Sequence, residues 1–225
     1  MANNKTIKGV IFDFNGTLFW DSSYHEKAWR EFALEVAGKP LSEEDMKNHI
    51  HGRINKDILS YVFQCELSET EVLQYSDKKE KLYRELIQSS DLNNLAQGSI
   101  ELFEELKSRK ISFTIATSSE ISNVHFYFNY LKLDKWFNKA LVVYDDGTMQ
   151  PKPAPDIFLR AADKIDVPIE KCLVLEDSIT GIKSAVKAGA GKILFVENDI
   201  PVNYKLVKDL VDGKISNLKE MLVWI

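Results

Sequence analysis

The chain has 225 residues, of which 44% are hydrophobic and 28% charged, enough to bury a full core and typical of a soluble globular protein. A formal net charge of -5 excludes a broad nucleic-acid or anionic-membrane surface as the main partner, because binding many phosphates needs clustered Lys and Arg. The start, MANNKTIKGV, lacks a long apolar segment, and no stretch nears the length that spans a bilayer. The expectation is an unprocessed cytoplasmic protein with no nucleic-acid or membrane partner. Cys65 and Cys172 lack metal-ligand spacing and read as buried free thiols of a reducing compartment.

In chain order, the first apolar run is KGVIFDF, read as a buried strand. Residues 20–93 then read as helical. HEKAWREFALEVAG places Ala28, Trp29, Phe32, Leu34 and Val36 in a helical pattern that stops at Gly38 before Pro40. Ser42 with Asp45, and Ser68 with Glu71, have the spacing of capping boxes at two further helix starts. The charge run DKKEK in the last of these helices reads as a solvated face. Four more apolar runs follow: ISFTIATSS, KALVVYD, CLVLEDS and KILFVEN. Strands alternating with helices predict an α/β fold, a Rossmann-like doubly wound parallel sheet. Residues 1–19 and 94–225 are expected to form this core, and 20–93 an inserted helical module beside the carboxyl edge, where open α/β sheets bind ligands.

Four strand ends carry the candidate chemistry. The first supplies Asp13, Asn15 and Thr17. The second supplies Thr117, Ser118 and Ser119, whose hydroxyls and amides can bind an anion at a helix opening at Glu120. Lys152 follows the third, between Pro151 and Pro153, and Glu176-Asp177 end the fourth, with Ser178 placed to cap the next helix. Singly, each has a structural explanation as a cap, a surface lysine or a loop pair. Jointly, three acids, a lysine and a hydroxyl cluster at successive strand ends point to a phosphate site.

These residues resemble the motifs of the haloacid dehalogenase superfamily, in the branch of β-phosphoglucomutase and sugar-phosphate phosphatases, over Val10 to about Val196. Asp13, Gly16 and Thr17 match its Asp-x-Asp-Gly-Thr motif, with Asn15 in place of the second Asp. Thr117-Ser118-Ser119 resembles the second motif, with Ser118 the first choice to bind the phosphoryl group and Thr117 next. Lys152 in KPAPDIF and Glu176-Asp177 in LEDSITGI resemble the third and fourth. HEKAW and HGRINKDIL are similar to segments of the branch's α-helical cap. Asp145-Asp146-Gly147-Thr148 has a similar look but reads as an Asp-Gly turn.

The resemblance implies a Mg²⁺-dependent enzyme acting on a small phosphorylated metabolite such as a sugar phosphate. Asp13 would form an aspartyl phosphate, and Lys152 would offset charge on Asp13 and the phosphate. Thr17, Thr117, Ser118, Ser119 and Lys152 would hold the phosphate. Asp13, the carbonyl of Asn15, Asp177 and Glu176 would serve the metal. In the cap, His25 and Arg53 are the candidates for substrate contact, ahead of His49 and His51, and Trp29 reads as core. A monomer or a dimer is expected.

In the resembling enzymes, the residue at position 15 moves the proton of the leaving group, which an amide cannot do. Three explanations stand side by side: an engineered trap, a natural enzyme for substrates that leave unaided, or a binding relative. Asn15-Gly16 is also a deamidation-prone pair, while its match to a glycosylation pattern is discounted without a secretory signal. Hydrolysis ranks above phosphomutase action, which leans harder on the missing acid. It also ranks above dehalogenation, which has no use for the acid pair and the lysine.

Overall fold

The structure, a computed structural model, describes residues 6–51, 53–198, 202 and 204–225. Its elements in chain order are β1 (Gly9–Phe12), α1 (Ser22–Ala37), α2 (Glu43–Asp45), a π-helical turn Met46–Ile50, α3 (Asn55–Phe63), α4 (Glu69–Gln88), α5 (Ser99–Ser108), β2 (Ser112–Glu120), α6 (Ile121–Leu131), β3 (Val143–Asp145), α7 (Asp156–Lys164), β4 (Cys172–Glu176), α8 (Ile179–Ala188), β5 (Lys192–Val196) and β6 (Gly213–Ile215). The chain divides into two compact units, Met1–Trp20 with Asn94–Ile225, and Asp21–Asn93.

The first unit holds one parallel sheet of six strands in the order β3-β2-β1-β4-β5-β6. Every residue of β1 and β4 is buried, as expected of strands covered on both faces. On one face Ile11, Val174 and Ile193 pack with Phe158, Ile182 and Ala185. On the other, Phe12 meets Phe103, Phe113 and Phe137 edge-on. The strand order turns about between β1 and β4, which opens a crevice at their carboxyl ends. Register decides what meets there. Phe12 is level with Ile115 and Leu175, and the Asp13 amide donates to the Leu175 carbonyl at 3.0 Å.

The sheet corrects two sequence expectations. Only Val143–Asp145 of KALVVYD is strand, because Lys139–Leu141 turn as a 3₁₀ segment capped by the Asn138 side chain. The edge strand β6, of three residues, carries no apolar run to announce it. The Asp145–Thr148 segment is a turn: Asp145 and Asp146 accept from the amides two residues on, and Gly147 sits at φ 74°.

In the second unit all regular elements among the described residues are helical. Gly38 ends α1 in the left-handed region at φ 59°. Both capping boxes form, Ser42 with Asp45 and Ser68 with Glu71. Trp29, Phe32, Met46, Ile58, Leu59 and Val62 make its core. Leu34, placed on the apolar stripe by sequence, is instead 58% exposed.

The DKKEK run departs furthest from expectation, because Lys79 and Glu80 are buried. The Lys79 ammonium donates to Glu80 at 2.8 Å and to His25 Nδ1 at 3.0 Å, and lies 4.8 Å from the Trp29 ring centre. Lysine has no acceptor, so His25 Nδ1 accepts and Nε2 carries a proton toward Asp21, 3.5 Å away. Tyr83 stacks on His25 at 3.8 Å and donates to Asp21, while Asn55 donates to Glu80 at 3.2 Å. Cys65 is exposed rather than buried; Cys172 is buried as expected, and both thiols are free.

Candidate active site

Lys152 is the hinge of the crevice. Its ammonium donates to Asp13 Oδ1 at 2.5 Å and to Glu176 Oε1 at 2.6 Å, with the three side chains between 1% and 10% exposed. Burial alone would lower the lysine pKa, but the charges of Asp13 and Glu176 more than offset it and hold the ammonium above its ordinary value. Glu176 Oε2 accepts from the Ser178 amide at 2.6 Å and hydroxyl at 3.0 Å, and the Ser178 oxygen caps α8 by accepting from Gly181 N at 3.0 Å. A Cβ at Gly181 would lie 1.6 Å from Glu176 Oε1, so the first turn of α8 admits the carboxylate only because that residue is glycine.

Asp177 is the site's electrostatic anomaly. Thr17 donates to its Oδ1 at 3.2 Å and Asn198 to its Oδ2 at 2.9 Å. Burial first, then the charges of Glu176 and Asp13, push its carboxyl well above the usual carboxylate range despite Lys152. Three carboxyl groups thus crowd one lysine, and burial and repulsion favour the protonated form of Asp177. Gly16, at φ 81°, makes room for it; a Cβ there would sit 2.2 Å from Asp177 Oδ2.

Asn15 faces the end of β2. Its Oδ1 accepts from Ser119 Oγ at 2.8 Å and from Thr117 Oγ1 at 3.4 Å, while its Nδ2 donates to the Tyr127 hydroxyl at 2.9 Å. The Gly16 nitrogen, which deamidation would turn on Asn15, donates to Phe19 O at 2.7 Å. Both partners of that side reaction are therefore engaged elsewhere in the folded chain.

The sequence candidates of the first unit converge, with adjustments. Thr17 is fully buried and its hydroxyl is directed at Asp177. Thr117 is buried and Ser118 exposed; β2 runs through Glu120, so neither Ser118 nor Ser119 caps α6 with its side chain. Asn198 and Tyr127 escaped the sequence reading. Asn198 also donates to the Gly16 carbonyl at 2.8 Å, and nothing in the order of residues ties it to position 16.

In the second unit, His25 is built into the Lys79 cluster rather than standing exposed at a helix start. Arg53 is exposed ahead of α3, and Gly52 lies outside the described residues. His49 stacks on Tyr61 at 3.9 Å, and His51 pairs with Glu26 at 2.7 Å, which gives each a local structural role.

The family model described as haloacid dehalogenase-like hydrolase matches residues 7–189, and the chain belongs to that family. It is a hydrolase with the family's Rossmann-like sheet and an inserted helical unit. The crystal structure of a HAD hydrolase of family IA, variant 3, from Entamoeba histolytica is similar with a TM-score of 0.89, 39% identity and 95% of each chain covered. A phosphorylated carbohydrates phosphatase of Thermotoga maritima is 28% identical, covering 92% of this chain and 89% of its own. A β-phosphoglucomutase of Bacillus subtilis is 28% identical, covering 81% of this chain and 80% of its own.

Proposed function

We propose that the chain is a phosphatase of small phosphorylated metabolites, the class to which the phosphorylated carbohydrates of its Thermotoga relative belong. The observation that carries this reading is Lys152 bridging Asp13 and Glu176 in the crevice at the turnabout of the sheet. Asp13 is the nucleophile, attacking phosphorus to form an aspartyl phosphate that water then hydrolyses. Lys152 lowers the repulsion between that carboxylate and the incoming phosphate, and Glu176 fixes the lysine from the far side. Ser118 and the amides at the end of β2 hold phosphate oxygens, while Thr117 and Ser119 fix the Asn15 amide beside them.

Among the described residues, no three His, Cys, Asp or Glu side chains cluster as a ready metal site. The donor chemistry nevertheless suits Mg²⁺: the oxygens available are Asp13, the Asn15 backbone carbonyl and Asp177, and a hard cation would offset the repulsion that raises the Asp177 pKa. Glu176, spent on Lys152 and Ser178, belongs outside that set. Bound Mg²⁺ would supply charge compensation for the phosphoryl group.

Residues 21–93 are read as the cap that sets specificity, with Arg53 the candidate for a second anionic group or a sugar hydroxyl. His25, held by Tyr83 and Lys79, suits a positioning role better. The Bacillus relative favours a second reading as a phosphomutase, but both halves of a mutase cycle need proton transfer, and the amide at 15 counts against it.

The test is Asp13→Asn. Hydrolysis of p-nitrophenyl phosphate with Mg²⁺ should fall by a factor on the order of 10⁴ or more, with EDTA abolishing the wild-type rate. Unchanged turnover in the variant would end the reading.

A further inference from the structure

Position 15 lies two residues past the proposed nucleophile, and its surroundings suit an amide in detail. Asn15 Nδ2 donates to the Tyr127 oxygen, and the single proton of Ser119 Oγ is spent on Asn15 Oδ1. The Tyr127 and Ser119 oxygens are 3.4 Å apart. Asn15, Tyr127 and Ser119 thus form one connected polar cluster, with the amide held at its nitrogen by Tyr127 and at its oxygen by Ser119. Tyr127 is anchored independently. It is 1% exposed and stacks at 4.4 Å on Phe14, which lies between Asp13 and Asn15, and meets Phe19 at 6.1 Å. The same side chain therefore props the nucleophile loop by packing and fixes the amide by its hydroxyl.

The crevice acids are committed elsewhere: Asp13 to Lys152, Glu176 to Lys152 and Ser178, Asp177 to Thr17 and Asn198. An amide neither gives nor takes a proton at working pH. We propose that Asn15 is a working residue held by Tyr127 as a positioning residue, and that the site is tuned to phosphorylated compounds whose leaving group departs without a proton, acyl phosphates above all, rather than alkyl phosphates. The inference rests on the aspartyl-phosphate reading. In the first step the bond from the Asp13 carboxylate to phosphorus forms. The bond from phosphorus to the acyl oxygen breaks, its electron pair leaving on a resonance-stabilised carboxylate, and no proton moves. In the second step water adds to phosphorus, Asp13 leaves as carboxylate, and both water protons remain on inorganic phosphate.

The experiment measures kcat/KM of the full chain with Mg²⁺ on acetyl, p-nitrophenyl, phenyl and glycerol phosphates. The rate should fall with leaving-group basicity, the glycerol ester trailing acetyl phosphate by about 10²–10⁴-fold. Asn15→Asp should raise the rate on the glycerol ester by at least about tenfold more than the rate on acetyl phosphate, closing most of the gap between them. Tyr127→Phe should lower the acetyl phosphate rate by about threefold to tenfold with Asn15 present and by under about twofold in Asn15→Ala, a coupling that mere loss of packing would not produce. Equal rates on glycerol and acetyl phosphates with the unmodified chain would overturn the inference, because some other group would then be supplying the proton; that measurement needs no variant to fold. Additive effects of Tyr127→Phe and Asn15→Ala would remove Tyr127 from the role. Acetyl phosphate hydrolysis that survives Asp13→Asn would instead defeat the aspartyl-phosphate reading itself.

Discussion

Each of the two units buries a lysine among carboxylates, and the two clusters are solved differently. In the helical unit, Lys79 and the neutral His25 ring lie between Glu80 and Asp21, with Asn55 donating to Glu80 and Tyr83 to Asp21, so two carboxylates meet one ammonium and three neutral donors. At the sheet edge, Lys152 bridges Asp13 and Glu176 with a third acid, Asp177, next in the chain, and the crowding surfaces as the raised pKa of Asp177. A buried ion pair whose acids are otherwise answered by neutral donors serves to specify one packing of helices. One left negative by design stores an attraction for whatever positive charge completes it, here the proposed metal ion. The contrast separates a structural polar cluster from a functional one more sharply than burial, since both lysine side chains are under 10% exposed.

Lys152→Met should produce the largest effect, because it removes the cation that bridges Asp13 and Glu176. The rate on p-nitrophenyl phosphate should fall by about 10²–10³-fold, and urea unfolding of the metal-free protein should show about 3–5 kcal/mol lost. A stable, active variant would show that the crevice is not held by this lysine. Lys79→Met tests the helical cluster, and with Asn55 still donating to Glu80 the loss should be about 3 kcal/mol in the same assay. Adding Glu80→Leu should recover most of it, since the stranded carboxylate goes too; a further loss would show the pair to be worth more than its removal.

The smallest effect concerns pH. Asp177 has a folded-state pKa above its unfolded one, so its contribution is fully present below about pH 4 and is lost as pH rises through the raised value. Metal-free protein should therefore melt lower as pH climbs toward neutrality, and Asp177→Asn should flatten that decline. At neutral pH the variant should melt higher than the wild type in EDTA, by about 2–4 °C per kcal/mol regained. It should also lose the stabilisation that Mg²⁺ gives the wild type. A lower melting temperature for the variant in EDTA would mean that the bonds from Thr17 and Asn198 outweigh the repulsion.

Much of this molecule was legible in its order of residues, for reasons that act over short spans. Apolar runs of four or five residues mark strands buried on both faces, Ser-x-x-Asp and Ser-x-x-Glu mark helix starts, and Gly38 marks a helix end, because each signal is a local backbone or burial preference. Asp13, Thr117 and Glu176 stand out for the same reason: a polar residue at the end of an apolar run is conspicuous without any knowledge of its partner. What only the tertiary structure decided is which residue answers which. Lys79 and Glu80 sit within a charge run that local patterning assigns to solvent, yet His25, Trp29 and Asn55, brought in from other helices, supply the bonds that make their burial tolerable. Tyr127 and Asn198 look like ordinary helix and loop residues until parallel pairing sets the ends of β2 and β5 beside the loop after β1. Hydrogen-bond partnership across 112 or 182 positions depends on sheet order and register, which no local pattern carries.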